Sequence, residues 1–199
     1  VISSIHSEHV VKFYGGCFEP KICLVMEYCS NGSLYHLQQR ENVDIDWGMC
    51  FRLLIETVTG IVALHAENPP IVHRDLKSLN LLVNSENRVK VCDFGLSRYT
   101  QGSGDNSTLG KLRGTYAYSA PEVYHGKPYS TKSDVYSIGV IMWELVARVI
   151  NKSYLRPYKE YKHLRIDFQI IIASAKKGIR PTIPASCPAS LRALIVRCW

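Results

Sequence analysis

Four residues able to carry chemistry lie within one stretch, Ile71 to Gly95, which reads IVHRDLKSLNLLVNSENRVKVCDFG. Asp75, Lys77 and Asn80 put a carboxylate, an ammonium and a carboxamide on one polar loop between the apolar runs Ile71-Val72 and Leu81-Leu82-Val83. After the turn Asn84-Ser85-Glu86-Asn87 the chain returns through Val89-Lys90-Val91-Cys92, a hairpin expected to bring Asp93 beside Asp75 and Asn80. Two carboxylates and an amide at one point suit a hard divalent cation held together with a polyphosphate, because Mg2+ takes one or two carboxylates plus phosphate oxygens and water. Asn80 and Asp93 then serve as metal ligands, Asp75 is left to face a hydroxyl nucleophile, and Lys77 neutralises a phosphoryl group in transfer. The plain alternative is a polar hairpin with solvated charges.

Elements on both sides must hold this loop. Before it, Trp47 to Ala66 carries apolar residues at Phe51, Leu54, Ile55, Val58, Ile61, Val62 and Leu64, spacings that predict a helix with one buried stripe, ended by Asn68-Pro69-Pro70. After it, Ser130-Thr131-Lys132-Ser133 is a start signal for a helix over 134–147, DVYSIGVIMWELVA, apolar on nearly every side as in a helix buried through a domain. Two amphipathic helices are expected at 166–175 and 191–199. Toward the start, Val1, Ile2 and Ile5 read as the tail of a helix, HVVKFYGGC as a strand, and Lys21 to Glu27 as a buried strand. Ser33 is placed to cap a short helix through Leu34 and Leu37.

With 199 residues, 46% of them apolar, the chain has room for one large folded unit. The net charge of +7 comes from 24 Lys and Arg against 17 Asp and Glu, but the basic residues are scattered, which argues for a solvated surface and against nucleic-acid binding. Seven cysteines show no CxxC pair, so reduced thiols are expected in place of disulfides or zinc. No apolar run is expected to reach membrane-spanning length, and no signal peptide is seen. The chain opens at Val1 and closes at Trp199 on an apolar pattern, so both ends are expected to be cut.

HRDLKSLN, then DFG, then GTYAYSAPE, in this order, resembles the catalytic, metal-binding and activation segments of eukaryotic protein kinases. The likeness leans to the tyrosine-kinase-like group of Raf-like and mixed-lineage-like Ser/Thr kinases. It implies an α+β, bilobal, protein-kinase-like fold: a residual small lobe at 1–27, a hinge at 28–33, and a helical large lobe at 34–199. ATP and Mg2+ are the implied cofactors, with adenine held by backbone groups of Glu27 and Cys29, Met26 as gatekeeper and Leu82 beneath. Met26 as plain core is compatible with that role. His73 and Phe94 are structural members of their motifs, and Asp134 would anchor the HRD backbone, where a simple capping role is the alternative. Glu122 would be a buried glutamate lacking its arginine partner. Thr115 would lie against Asp75 and Lys77 and seat a Ser or Thr substrate.

The segment from Tyr99 to Leu112 is rich in Gly, Ser, Thr and Asn and reads as a mobile surface loop. A phosphate there could pair with Arg74, with Thr108 the first candidate and Ser107, Ser103 and Thr100 behind it. Such a phosphate would come from an activating kinase or from trans-autophosphorylation. HRDLKS and GTYAYSAPE favour Ser/Thr protein substrates over Tyr. The chain holds no GxGxxG loop, no VAIK-type lysine and no helix-C glutamate, so an intact protein is expected to be an active kinase and these residues alone nearly inactive. The rivals are a pseudokinase scaffold, a kinase acting on Tyr or on both hydroxyl types, and a non-kinase interaction domain. A cytoplasmic location is expected, or the cytoplasmic face of a membrane if the parent chain is tethered. Cys92 would line the nucleotide pocket as a thiol open to a covalent ligand or, alternatively, as an inert buried one.

Overall fold

The computed structural model describes residues 5, 7–99 and 116–199. The fold is α+β, with strands in antiparallel pairs and helices gathered around one central helix. The first pair is β1 (Phe13–Cys17) with β2 (Cys23–Met26). The helices α1 (Leu34–Gln39) and α2 (Trp47–His65) follow, and then come β3 (Ile71–Val72), β4 (Leu81–Val83), β5 (Val89–Val91) and β6 (Arg98–Tyr99). β4 pairs with β5 as the expected hairpin, and β3 pairs with β6. Helices α3 (Pro121–Tyr124), α4 (Thr131–Asn151), α5 (Asp167–Lys177) and α6 (Ala189–Cys198) complete the chain.

Helix α4 is the axis of the core. Its residues from Ser133 to Val149 are buried apart from Val135, as an all-round apolar sequence requires. A capping box of Ser130 and Ser133 starts it a turn earlier than the apolar pattern alone suggests. Near its far end the buried Arg148 donates to the carbonyls of Gln38, Arg40 and Val43, which fixes the end of α1 and the loop after it. Gly139 lets α6 close in, since a Cβ there would lie 2.8 Å from the Cys198 Cβ.

Helix α2 buries Leu54, Ile61 and Leu64 of the expected stripe but not the other four. Cys50, Leu53, Leu54, Thr57, Gly60, Ile61 and Leu64 face the core, while Phe51, Ile55, Val58 and Val62 are exposed. The reason lies in what the helix packs on. Buried Glu56 ion-pairs with Arg88 at 2.7 Å and accepts the Val89 N–H at 2.7 Å, turning that side toward β5. By length and composition α2 is apolar enough to cross a membrane, which corrects the expectation about apolar runs. Its cap at Asp46 and its Glu56 pair seat it against the core.

The start of the chain departs most from expectation. β2 was expected to be buried, yet Cys23, Leu24, Val25 and Met26 are all exposed, and Met26, at 42%, is not a core residue. A lone two-stranded ribbon has no second layer to cover its faces. His9 to Val11 do join the core through β5: Val91 N–H donates to the His9 carbonyl at 2.8 Å and Val11 N–H to the Val91 carbonyl at 2.9 Å. The expected helix tail falls almost wholly outside the described residues.

Candidate active site

The loop from His73 to Asn80 is held from below by Asp134, buried in the first turn of α4. Its Oδ2 accepts the His73 N–H at 2.8 Å, its Oδ1 accepts the Arg74 N–H at 3.0 Å, and the His65 imidazole Nε2 sits 2.9 Å from Oδ2. Arg74 has φ of 72°, a left-handed conformation that costs a non-glycine residue roughly 1–2 kcal/mol, and the carboxylate holds both N–H groups in that bend. Asp134 is therefore more than a helix cap.

His73 joins the loop to the Asp93 segment. Its Nε2 lies 2.9 Å from the Cys92 carbonyl, which can only accept, so Nε2 carries the proton and Nδ1 accepts the Asp75 N–H at 3.4 Å. The ring packs against Phe94 at 5.4 Å between centroids, and the Ser97 hydroxyl donates to the His73 carbonyl at 3.2 Å. Both motif residues thus brace one loop on the other.

Asp75 stands at the centre. Its Oδ2 accepts from Lys77 Nζ at 2.8 Å and from Asn80 Nδ2 at 3.0 Å, and Asn80 Nδ2 also donates to the Asp75 carbonyl at 2.8 Å. Its Oδ1 is buried and has no hydrogen-bond partner among the described residues. With its N–H groups committed to Asp75, Asn80 keeps its amide oxygen for a cation. Asp93 is exposed with φ of 63° and, among the described residues, accepts only the Gly95 N–H, at 3.4 Å. The hairpin returns it to the loop through the Cys92 N–H, which donates to the Asn80 carbonyl at 3.0 Å, but no ion pair or hydrogen bond joins it to Asp75, Lys77 or Asn80. Among the described residues no group of three His, Cys, Asp or Glu side chains could hold a metal alone. The Asn80 and Asp93 oxygens suit Mg2+ only with phosphate oxygens completing its shell.

Just after β2, Glu27 N–H donates to the Lys12 carbonyl at 2.8 Å and its side chain pairs with Lys90 at 2.9 Å, while among the described residues its carbonyl and the Cys29 N–H make no backbone hydrogen bond. The turn closes with Gly32 N–H on the Cys29 carbonyl, and Ser33 caps α1 as expected. Leu82 is half-buried and bridges to Ser33. Cys92 is half-buried, and burial pushes its thiol up to about 12, which favours the inert reading.

Other candidate residues stand apart from this cluster. The Arg74 guanidinium lies over the Tyr129 ring at 4.7 Å, and burial lifts the Tyr129 hydroxyl to about 12. Glu122 is half-buried where a buried glutamate was expected, and its Oε1 accepts the Ser133 hydroxyl at 2.8 Å. Thr108 and Thr115, with Thr100, Ser103 and Ser107, lie outside the described residues.

The sequence reading missed Glu144. This carboxylate, fully buried on α4 beneath the loop, accepts Tyr118 and Tyr154 hydroxyls at 2.8 Å and Ser78 at 3.3 Å, all on Oε1. Burial pushes it up to about 7 although the three hydroxyls pull the other way. It ties Ser78, next to Lys77, to Tyr118 in the segment before α3. A lone glutamate inside an apolar helix was the available signal.

The sequence pattern of the family described as protein tyrosine and serine/threonine kinase matches residues 1–199. The chain is 62% identical over 199 residues to stress-activated protein kinase alpha of Dictyostelium discoideum, covering all of this chain and 31% of that protein. It is 52% identical over 197 residues to a probable serine/threonine-protein kinase of the same organism, covering 99% of this chain and 20% of that protein. A probable tyrosine-protein kinase of Dictyostelium discoideum is 34% identical over 209 residues, covering 96% of this chain and 59% of its own length.

Proposed function

Because the chain belongs to the protein tyrosine and serine/threonine kinase family, we propose that the whole protein transfers a phosphoryl group from Mg·ATP to Ser or Thr hydroxyls of protein substrates. The observation that carries this reading is the buried Oδ1 of Asp75, which has no hydrogen-bond partner among the described residues. A buried carboxylate oxygen with no donor has an unmet capacity to accept, and a substrate hydroxyl aimed at it is both oriented and relieved of its proton. Lys77 and Asn80 hold the other oxygen, so the side chain cannot swing away.

The donor set fits the cofactors. The Asn80 amide oxygen and the Asp93 carboxylate would hold Mg2+, which when bound would offset the charge of the phosphates. Lys77 adds positive charge where the phosphoryl group passes. The Glu27 carbonyl and Cys29 N–H would bind adenine, with Met26 and Leu82 beside it, which makes 28–33 the hinge between 1–27 and 34–199.

Arg74, a fixed cation beside the base, would receive the phosphate of an activated loop, with Thr108 the first site, added by another kinase or in trans. Thr115 would help seat the substrate. HRDLKS and GTYAYSAPE support the tyrosine-kinase-like group, and two relatives named as probable serine/threonine-protein kinases, each at 52% identity, support that specificity over the probable tyrosine-protein kinase at 34%. Seven free cysteines support a cytoplasmic location. Residues 1–199 hold no glycine-rich loop, so this stretch expressed alone is expected to turn over slowly.

The test is phosphoamino-acid analysis of a general protein substrate incubated with the whole protein and labelled ATP. Phosphoserine and phosphothreonine are expected. Phosphotyrosine alone would overturn the specificity, and no label at all would favour a scaffold.

A further inference from the structure

Cys17 ends β1 and Cys23 begins β2, and the two are direct partners across the antiparallel ladder. Direct cross-strand partners have Cα atoms about 4.5 or 5.5 Å apart, depending on the hydrogen-bonding of the pair. Both separations fall within the roughly 4.4–6.8 Å that a disulfide spans. Directly opposed side chains also leave the same face of a ribbon, so the two sulfurs start on one side. Both residues are exposed, and the Cys17 thiol now donates to the Glu19 carbonyl at 2.7 Å, inside the turn that joins the strands.

The other five thiols are shielded. Cys29, Cys50 and Cys187 are buried, Cys92 and Cys198 half-covered, and burial raises every one of them, Cys50 and Cys92 to about 12. A thiol held protonated and out of solvent reacts slowly with oxidants. Register and access therefore single out the same pair.

We infer that Cys17 and Cys23 are a redox-modification site, closing reversibly to a cross-strand disulfide at the tip of the β1–β2 ribbon. The oxidant is a peroxide. One thiolate attacks a peroxide oxygen, breaking the O–O bond and giving a sulfenic acid and hydroxide; the second thiolate then attacks that sulfur and expels a second hydroxide, and the two hydroxides take up the protons the two thiols gave up, leaving two waters. In sum two thiols and one H2O2 give one disulfide and two waters, both sulfurs being oxidised and the peroxide reduced. A reducing thiol reverses the step by exchange.

The test uses the whole protein, treated with hydrogen peroxide under native conditions, alkylated and digested with trypsin. The cut after Lys21 separates the two residues, leaving Cys17 on Phe13–Lys21 and Cys23 on Ile22–Arg40. The expected result is a linked pair of these peptides, about 2 Da lighter than their sum for the two hydrogens lost. It disappears in Cys17→Ser and in Cys23→Ser, survives in Cys29→Ser, and is released by dithiothreitol. Two results would overturn the inference: separate oxidation of Cys17 and Cys23 with no linked peptide, or a link that is lost in Cys29→Ser and kept in Cys23→Ser. Serine at these exposed positions leaves the fold intact, checked by an unchanged unfolding temperature.

Discussion

Asp134 accepts the backbone N–H of His73 at 2.8 Å from a fully buried position in the first turn of α4, so the most buried helix of the fold sets the conformation of its most reactive loop. The same carboxylate holds the Arg74 N–H at 3.0 Å. Replacing it with alanine leaves two N–H groups without acceptors, at about 1–3 kcal/mol each. Asp134→Ala is expected to lower the urea-unfolding free energy by about 2–6 kcal/mol on that basis. A loss below about 1 kcal/mol, the size of an ordinary cap, would return Asp134 to the capping role.

Glu144 gives a pH dependence with a definite sign. Its carboxyl is raised from 4.5 to about 7 in the folded state, so folding favours the protonated form. Stability is then greatest below 4.5, falls as pH rises toward about 7 while the unfolded chain has already lost the proton, and levels off above. Glu144→Gln keeps an oxygen for the three hydroxyls and removes the charge. Denaturant titrations across this range should slope downward in the native protein and be flatter in the variant. Equal slopes would mean that Glu144 does not titrate there.

Gly60 sets two effects against each other. Alanine improves helix propensity by about 1 kcal/mol, yet its Cβ would meet the His9 carbonyl and the Val91 Cγ2 at 2.7 Å. Backbone cannot yield as a side-chain tip can, so Gly60→Ala is expected to destabilise by about 1–3 kcal/mol. A rise in unfolding temperature would show the approach of α2 to β5 to be looser than this.

The catalytic loop was legible because Asp75, Lys77, Asn80 and Asp93 are nearly contiguous and their hairpin is local. The central helix was legible because no polar face competes on it. On α2 spacing placed Leu54, Ile61 and Leu64 in the core but could not choose between faces, because Phe51, Ile55, Val58 and Val62 form a second apolar stripe that stays exposed. The choice between the faces was made by Glu56, whose partners Arg88 and Val89 lie far along the chain. The exposure of β2 was missed for a related reason, since an apolar strand is buried only where a second layer covers it. The partners of Arg148 and Glu144 were invisible because a charge inside an apolar helix does not announce its acceptors or donors, here at 38–43 for one and at 78, 118 and 154 for the other.

The most direct measurement compares phosphoryl transfer and nucleotide binding for the whole protein and its Asp75→Asn variant. Asparagine keeps the size of the side chain and removes its capacity to take a proton. The account predicts that turnover falls at least about 100-fold, the scale of a lost general base, while nucleotide affinity stays within a few-fold. Turnover within a few-fold of the unaltered protein would contradict it, because the buried Oδ1 of Asp75 would then have no part in the transfer.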